Sequence, residues 1–493
     1  MLSALWLVPA LGGLVVAWLP RSWARWAGAA VALAALALAV VVAVQLDTTH
    51  RGFQFQENLG WIPEYRISYH LGLDGISVWL VLLNAFLTLI AVLATPARMS
   101  RRGSFIALLL LLEAAMAGLF LAVDLLLFYV FWEAMLIPAY FLLWIWGEGE
   151  RPGWAALKFV LYTLVGSLLM LVGVIGEYVY SGAHDFDLAH LAAQPPTQAI
   201  QFGLFALFAL AFAIKIPIFP FHSWLPDAYL AAPTPMLVTF AGVMGKTGAY
   251  GLLRVVIPLL PHPVYWWDWN GVVPVLAVIG ICWGALMALA QRDMKLLVAY
   301  SSISHMGFIV LGIFAFNAVG QQGAVLQMVN HGLIVPALFL LVAWVQSRTG
   351  SRDRSVLAGL APRMPVLAGL FMIVTLAALG LPGLNSFVGE LMTLMGAWAF
   401  SPVLAIAGCV GLVLAPVYML RLFQGLMYAR PGSELAHGHG EVAAEPVARA
   451  DIARGELALL MPMVALMFLL GLYPYIITRA LPALGYALPV PWQ

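Results

Sequence analysis

The sequence predicts an all-α polytopic membrane protein with about 14 transmembrane helices. Of its 493 residues, 63% are hydrophobic and only 9% are charged, and the mean hydropathy is +0.98. Soluble globular chains are typically about 45–50% apolar and about 25% charged, so a soluble fold could not bury this much apolar side chain. The scarce polar residues instead separate apolar runs that are about as long as a membrane span.

Each predicted span is an apolar run bounded by polar residues, proline or glycine. A transmembrane helix needs about 20 mainly apolar residues, so a chain of this length with short loops holds roughly 14–16 of them. No basic segment precedes the first run, which we interpret as a span rather than a signal peptide. The predicted spans lie near residues 2–19, 27–44, 76–94, 105–123, 125–146, 155–180, 202–219, 235–260, 272–290, 296–315, 324–345, 366–399, 402–428 and 456–477.

Two runs contain proline beside an ionisable residue, which predicts broken helices 7 and 12. The seventh run has Lys215 before Pro217, and the twelfth has Pro382 before Glu390. The breaks lie five spans apart, and an odd separation reverses the helix direction, as an inverted-topology repeat requires. Two ordinary proline kinks are the alternative. The predicted domains are spans 1–3 over residues 1–104, two inverted five-helix repeats over 105–260 and 272–428, and a loop with span 14 over 429–493.

The distribution of arginine predicts which side of the membrane each loop faces. When the runs are counted in order, 14 of the 19 arginines lie in odd-numbered loops. Cytoplasmic loops carry an excess of lysine and arginine. The odd-numbered loops are therefore predicted to be cytoplasmic, and both termini are predicted to lie outside.

The composition also excludes several kinds of site. A net charge of +1 without a basic cluster excludes nucleic-acid binding. The two cysteines, Cys282 and Cys409, lie in apolar runs and exclude a disulfide framework, an iron–sulfur cluster and a zinc site. The histidines His437 and His439 are interpreted as part of a solvated loop rather than a metal site. We expect no cofactor and no metal in this chain.

Ionisable residues inside the apolar runs are the candidates for function. A charge at mid-membrane costs at least about 2.5–3.5 kcal/mol, so it is retained for a reason. All four lysines lie in or at the ends of apolar runs, whereas the loops use arginine. A buried lysine can lose its proton near neutral pH and arginine cannot, so the pattern indicates cations that must discharge. The candidates are Glu133, Lys158, Lys215, Lys246, His305, His331 and Glu390, with Glu113 and Lys295 as further buried charges.

Most candidates also have a purely structural explanation. Glu133 and Lys215 could form an ion pair that joins two helices. His305 and His331 could be neutral groups that hydrogen-bond between helices. Lys158 lies near the end of a run, from which a lysine can extend to the membrane surface.

The functional interpretation is stronger for Lys246, because small residues on both sides of it permit close helix packing. Together, the carboxylates, amines and imidazoles form a line of titratable groups. A carboxylate beside a lysine favours the charged form of both, and separating them lets the lysine discharge. This is a workable switch for moving a proton through a helix bundle.

Six motifs stand at or near these candidates. They are Phe-Trp-Glu133-Ala-Met-Leu-Ile-Pro, Ala-Ile-Lys215-Ile-Pro, Phe-His222-Ser-Trp-Leu-Pro-Asp227-Ala, Lys246-Thr-Gly-Ala-Tyr-Gly, Ser-His305-Met-Gly and Leu-Pro-Gly-Leu-Asn-Ser-Phe-Val-Gly-Glu390. Over nearly the whole chain, the sequence resembles the antiporter-like subunits of respiratory complex I (NADH:quinone oxidoreductase). The subunit M family is the most similar, because Glu390 stands where subunits L and N carry lysine and no long C-terminal arm follows span 14.

The resemblance implies a role for each candidate. It implies that Glu133 with Lys215 is the charge pair of an input half-channel and that Lys158 lies near this pair. It implies that Lys246 is the central connecting lysine. It also implies that His305 and His331 continue the hydrophilic axis and that Glu390 ends the output half-channel. One departure follows His331, where Ile334, Val335 and Pro336 replace the small residues expected there.

The resemblance further implies a proton-translocating subunit that couples quinone reduction elsewhere in the complex to proton pumping. Such a subunit of the translocase would have no redox centre of its own, and would lie in a bacterial inner membrane beside L-type and N-type subunits and lipids. Three alternatives share the module or the charges: an Mrp-type cation/proton antiporter subunit, the membrane subunit of a hydrogenase or inorganic-carbon uptake complex, and a redox-inert scaffold.

Overall fold

The chain folds as a multi-pass helical membrane protein. The computed structural model describes residues 1–50, 52–265, 271–429 and 451–481. Within these ranges, 12 helices are long and apolar enough to cross a membrane, and Leu2–Trp18 and Pro365–Ala378 are shorter apolar helices. The count of about 14 spans stays a prediction. Residues 430–450, with His437 and His439, and most of the last predicted span's C-terminal flank lie outside the described residues.

The described chain divides into two compact units, made mainly of Met1–Pro274 and of Val275–Thr478. The predicted domain boundaries within these units stay a prediction. The helices up to the end of the first unit are α1 (Leu2–Trp18), α2 (Arg21–Gln45), α3 (Ser77–Ala94), α4 (Arg102–Leu121), α5 (Leu125–Ala134), α6 (Leu136–Trp146), α7 (Pro152–Tyr180), α8 (Leu188–Ala193), α9 (Gln198–Lys215), α10 (Trp224–Ala231), α11 (Thr234–Thr239), α12 (Gly245–Gly251), α13 (Ile257–Leu259) and α14 (Pro261–Tyr265).

An antiparallel hairpin lies between α2 and α3. Its strands are β1 (Gln54–Ile62) and β2 (Ile67–Leu73), joined by a short 3₁₀ turn at Pro63–Tyr65. Asn58 pairs with His70 in its register. The remaining helices are α15 (Val272–Ala290), α16 (Met294–Ile313), α17 (Ala318–Thr349), α18 (Pro365–Ala378), α19 (Asn385–Phe400), α20 (Pro402–Met427), α21 (Arg454–Leu472) and α22 (Tyr475–Thr478).

Several helices begin at a side chain that accepts hydrogen bonds from the first free backbone N–H groups. Asp124 caps α5, Asp187 caps α8, Asp293 caps α16 and Asn317 caps α17. A helix leaves its first four N–H groups without intrahelical partners, and short polar side chains satisfy them. The isolated Asp and Asn residues between apolar runs therefore mark where buried helices start.

The helix is interrupted at the two places where the sequence predicts breaks. Helix α9 ends at Lys215 and helical structure resumes at Trp224. Helix α18 ends at Ala378 and α19 begins at Asn385, so the single run predicted over 366–399 is two helices. Gly380 has a positive φ of 79°, which lets the backbone turn between them without strain from a side chain.

Two further spans differ from the prediction, those predicted over 125–146 and 235–260. The run predicted over 125–146 is broken at Met135, because Pro138 has no N–H to donate to the carbonyl of Ala134, where α5 ends. Helix α17, in contrast, continues through Pro336. The span Thr234–Leu259 alternates between α-helix and π-helix, with π-helical turns at Phe240–Met244 and Leu252–Val256.

Loops on the same predicted side contact each other within each unit. In the first unit, Arg21 donates to the carbonyl of Arg98 at 2.9 Å, and β-bridges join Leu71 to Ala122 and Asp124 to Asp187. In the second unit, Met294 N donates to the Arg352 carbonyl at 3.1 Å, and Arg348 is paired with Glu456. These contacts agree with the alternation of loops that the arginines indicate.

Candidate functional site

Lys246 lies on α12, between the two π-helical turns, and its side chain is fully buried. Its Nζ donates to the carbonyl oxygen of Ala241 at 2.5 Å. Ala241 lies five residues earlier, in the first π-helical turn. No ion pair of Lys246 is present among the described residues. The amine is therefore held by a backbone carbonyl of its own span, and π-helical turns of this kind are frequent at functional sites.

Small residues beside Lys246 let α12 pack closely on the broken end of α9. A Cβ atom on Gly248 would lie 2.7 Å from Ile216 Cγ1 and 3.2 Å from the Phe212 carbonyl oxygen. A Cβ atom on Gly251 would overlap the Phe212 ring. The close packing that the sequence indicates around Lys246 is confirmed. It brings the Lys246 helix against the last turn of α9, which ends at Lys215.

Lys215 is 1% exposed and is the last residue of α9. Its Nζ makes no hydrogen bond within the described chain. It lies 5.2 Å from the centre of the Trp132 ring and 5.7 Å from that of Phe159. Aromatic faces and the C-terminal end of a helix both favour a cation, whereas burial without a direct hydrogen bond disfavours it.

The predicted charge pair between Glu133 and Lys215 is not a direct contact in this structure. Glu133 is the second-last residue of α5, is partly exposed, and has one buried carboxylate oxygen without a partner among the described residues. The ring of its neighbour Trp132 contacts the Lys215 ammonium instead. The two charges interact electrostatically at longer range. The sequence indicates the opposite charges of Glu133 and Lys215. It does not indicate that the Trp132 ring contacts the Lys215 ammonium.

Lys158 is paired with a carboxylate that the sequence analysis did not single out. Its Nζ lies 2.7 Å from Asp227 Oδ2 and 2.8 Å from the Ser223 carbonyl oxygen. Ser223 Oγ donates to the hydroxyl of Tyr162 at 2.8 Å. Asp227 stands in one of the six motifs but 69 residues from Lys158, so no local spacing indicated the pair.

Two more buried charges were named from the sequence. Glu113 on α4 is 1% exposed, and its Oε2 has no hydrogen-bond partner in the described chain. Lys295 near the start of α16 is 3% exposed. A lysine that snorkelled would expose its ammonium, so Lys295 is held inside the second unit rather than extended to the surface.

In the second unit, three buried side chains converge on one carboxylate oxygen. Glu390 Oε1 lies 2.7 Å from His305 Nδ1, and it accepts hydrogen bonds from Ser386 Oγ at 3.0 Å and Gln327 Nε2 at 3.1 Å. Helices α16, α17 and α19 supply these groups. A buried carboxylate requires such partners, because leaving it unpaired in a low-dielectric interior is costly.

His331 extends this cluster along α16 and α17. Its Nε2 lies 3.0 Å from Ser302 Oγ, and its ring centre lies 5.9 Å from that of His305. The structure therefore brings the candidates His305, His331 and Glu390 together in one polar cluster. Sequence reasoning missed the partners Gln327 and Ser386, although each lies four residues before a candidate and so on the same helix face.

A small cavity lies beside this cluster. Its polar wall contains both candidate histidines, and its apolar wall contains the residues that depart from the family pattern. It is lined by Ser301, His305, Gln327, His331, Ile334, Val335, Leu338, Ala378 and Ser386. Ile334 and Val335 therefore form an apolar wall next to the histidines, and α17 is continuous through them.

Comparison with known proteins gives the same assignment at the level of sequence and fold. The profile of the family described as NADH:quinone oxidoreductase/Mrp antiporter, TM, matches residues 122–415. The NADH-quinone oxidoreductase subunit M of Rickettsia typhi is 38% identical over 89% of this chain and 86% of that protein. The subunit of the same name from Mycobacterium tuberculosis is 38% identical over 96% of this chain and 91% of that protein.

Solved structures agree. A chain of respiratory complex I from Thermus thermophilus with bound NADH has a TM-score of 0.89 and 34% identity, covering 99% of this chain and 98% of that one. A chain of the Mrp complex from Dietzia sp. has a TM-score of 0.82 at 24% identity, covering 97% of this chain and 52% of that one, and shares the fold. The resemblance drawn from the motifs is confirmed: this chain belongs to the NADH:quinone oxidoreductase/Mrp antiporter family of membrane subunits.

Proposed function

We propose that this chain is a proton-translocating membrane-arm subunit of an NADH:quinone oxidoreductase, of the subunit M type. The observation that carries the proposal is that buried titratable side chains occupy the interior of both units. Lys215 and Lys246 lie in the first unit, and His305, His331 and Glu390 lie in the second. Ionisable groups at membrane depth are costly and typically line proton or ion paths. Relatives named subunit M of NADH-quinone oxidoreductase support the same function.

In the first unit, the proposed proton carriers are lysines. Lys246 donates only to a backbone carbonyl, and the ammonium of Lys215 lies over aromatic rings. Neither is fixed in its charged form by a direct carboxylate contact among the described residues. We propose that Glu133 and Lys215 form the input half-channel and that the nearby Lys158 influences the charge of this pair. Lys246 then receives the proton. Lysine suits this role because its amine can be neutral, whereas arginine stays charged.

In the second unit, the proposed proton path runs along the polar cluster. Protons would pass between the imidazoles of His305 and His331 and the carboxyl of Glu390, whose Oε1 lies 2.7 Å from His305 Nδ1. Histidine can accept a proton on one ring nitrogen and release one from the other, so it relays protons between neighbours. Glu390 would then release the proton from the output half-channel. The inverted repeat that relates the two half-channels belongs to this proposal.

Quinone reduction would take place in other subunits, and we propose that this chain holds no redox centre, cofactor or metal. Its partners would be the antiporter-like subunits of the L and N types. The whole complexes of the related structures, complex I and Mrp, support such neighbours. An Mrp-type antiporter subunit is the second candidate. The subunit M relatives match at 38% identity. The Mrp chain is 24% identical, and this similarity supports a shared fold but not a shared function.

Purification of the tagged chain with its neighbours tests this function. The complex would be reconstituted in liposomes, given NADH and quinone, and followed for quinone reduction and proton uptake. The proposal predicts recovery with redox subunits and other membrane-arm subunits, and NADH-driven proton uptake. Recovery with cation-antiporter subunits alone, and Na⁺/H⁺ exchange that needs no NADH, would favour the second candidate and contradict the first.

A further inference from the structure

The proposed path does not include the buried carboxyl group of Glu177. Glu177 lies in the last turn of α7 and is 0% exposed. Both its carboxylate oxygens lack a hydrogen-bond partner within the described chain. Glu177 lies near the end of the predicted span 155–180, just before a polar loop, and stands in none of the six motifs.

A second polar atom without a partner lies one turn away. Ser181 is 2% exposed, and its Oγ has no hydrogen-bond partner within the described residues. Two other hydroxyls on the buried face of α7 behave differently. Thr163 donates to the Phe159 carbonyl at 2.8 Å, and Ser167 donates to the Thr163 carbonyl at 2.9 Å. Three buried oxygens therefore lack partners at one end of α7, where buried polar atoms are normally satisfied.

Helix α9 packs closely against α7 near Glu177, because a Cβ atom on Gly173 would lie 2.9 Å from the Phe208 ring and one on Gly176 would overlap Leu204. Gln201, one turn further along α9, uses its amide groups elsewhere: it donates to the Pro196 carbonyl and accepts from His262 N. Among the described residues, this glutamine is therefore not a partner of the Glu177 carboxyl.

The position on the helix adds to the cost of a negative charge. The C-terminal end of a helix carries the negative end of its dipole, so an anion in the last turn is disfavoured. An ionised carboxylate without partners in an apolar interior is disfavoured as well. Both effects favour the protonated carboxyl, which can donate as well as accept hydrogen bonds.

Glu177 also lies far from the lysine on the same helix. Lys158 precedes it by 19 residues, which corresponds to about 28 Å along a helix and so to nearly the thickness of the hydrocarbon core. Lys158 and its partner Asp227 therefore lie near one membrane surface, and Glu177 lies near the other.

We propose that Glu177 and Ser181 form a proton-binding site at this end of α7, which gives the first unit its own proton exchange with that side of the membrane. The Glu177 carboxyl carries the proton, and the Ser181 hydroxyl, one turn away and not bonded to that carboxyl, binds the water molecule with which the proton is exchanged. In each exchange the carboxyl gives its proton to a water molecule, leaving carboxylate and hydronium, and the reverse step reloads it. The inference rests on the proposed function, since proton exchange serves translocation.

Infrared spectroscopy and pumping assays on the assembled complex test this site. The variants are Glu177→Gln and Ser181→Ala, with Ser167→Ala as the matched control, because Ser167 lies on the same buried face and is satisfied within its helix. Glu177→Gln should remove one protonated-carboxyl C=O band and cause the loss of most NADH-driven pumping. Ser181→Ala should shift that band, and Ser167→Ala should not.

Retention of every protonated-carboxyl band in Glu177→Gln overturns the site, and loss of a band with unchanged pumping overturns its role in translocation. If Glu177→Gln does not assemble, Ser181→Ala decides the question: an unshifted band overturns the site. A wild-type complex that does not pump protons would refute the proposed function instead, while the infrared bands would still report whether Glu177 holds a proton.

Discussion

Glu390 shows how single residues determine the chemistry of the second unit. Its Oε1 accepts from side chains on α16, α17 and on its own helix α19, so its position depends on all three. A hydrogen bond to a charged group contributes about 1.5–3 kcal/mol, and three of them hold the carboxylate in one orientation. The carboxyl is thus placed to exchange a proton with His305 and with no other titratable group that contacts it directly in the described chain.

Replacing Glu390 with glutamine tests whether the carboxyl carries a proton. Glutamine keeps the size and the hydrogen-bonding oxygen, but its amide does not bind a proton in this pH range. We expect Glu390→Gln to assemble and to lose NADH-driven proton pumping in proteoliposomes. Ser386→Ala is the control, since it removes one donor and leaves the carboxyl, and it should keep most of the pumping. Normal pumping by Glu390→Gln would contradict the role of Glu390.

At this scale, the sequence predicts which residues are titratable and buried, but only part of what they contact. Gln327 and His331 share a face of α17, so their common site could have been found from their spacing. Lys158 and Asp227 lie on separate helices, and nothing local in the sequence joins them. Glu177 stands in none of the six motifs. It is distinguished only by the structure, in which neither carboxylate oxygen has a hydrogen-bond partner among the described residues.

At the scale of elements, glycine positions determine how closely the Lys246 helix packs. Gly248 faces the backbone of α9, whereas Gly245 has open space at the position of a Cβ atom. We expect Gly248→Ala to destabilise the complex by about 1–3 kcal/mol, because the Phe212 backbone cannot move aside. Gly245→Ala should be neutral or stabilising, since alanine favours helix. Thermal unfolding of the two variants checks this, and equal melting temperatures would contradict it.

An ion pair between Asp74, just before α3, and Arg254 joins the start of α3 to the second π-helical turn. Asp74 Oδ1 accepts from the backbone N–H groups of Ile76 and Ser77, and its Oδ2 lies 2.7 Å from Arg254 Nη2. Burial alone would raise the pKa of the Asp74 carboxyl, but Arg254 and the Ser77 hydrogen bonds outweigh it and lower the pKa below its usual value. The carboxylate therefore stabilises the fold as an anion.

The effect of pH on this pair has a definite sign. Because the pKa is lowered in the folded state, the stabilisation is present above the unfolded pKa of about 3.9 and is lost as pH falls through the folded value. We expect Asp74→Asn to cost up to about 3–5 kcal/mol at pH 7, because the Arg254 guanidinium loses the Asp74 carboxylate. The difference in melting temperature from wild type should vanish in strong acid. A difference that did not change with pH would contradict the ion pair.

Element boundaries were predictable where proline acts on the backbone, and not elsewhere. Pro217 and Pro382 mark the broken helices, and Pro138 explains the end of α5. Pro336 does not interrupt α17, and burial does not explain the difference, because Pro138 is buried as well. The π-helical turns at Phe240–Met244 and Leu252–Val256 have no sequence signal that we could use, since they depend on packing.

At the scale of the whole molecule, composition alone predicts the multi-pass class, which the structure and the family confirm. Apolar content fixes this class because so much hydrophobic surface has no other stable environment. The number of spans is harder, because short helices such as α1 and α18 are near the minimum length. The sides of the membrane are a separate question, which arginine placement predicts.

Cysteine labelling in vesicles checks the predicted orientation. Glu64 lies in the turn between β1 and β2, Glu150 lies in the loop before α7, and both are exposed. With the two native cysteines replaced, a membrane-impermeant thiol reagent should label Glu64→Cys from outside the cell and Glu150→Cys only in inverted vesicles. Labelling of both from the same side would show that the loops do not alternate as predicted.

The central claim is that a buried lysine of the first unit carries the translocated proton, and replacement of Lys246 tests it most directly. The measurement is NADH-driven proton pumping by the assembled complex in liposomes, with Lys246→Ala compared with Gly245→Ala on the same helix. Gly245 has space for the added methyl group, so this control keeps the fold. The account predicts that Lys246→Ala assembles but loses pumping, while Gly245→Ala pumps like wild type. Unchanged pumping by Lys246→Ala would contradict it.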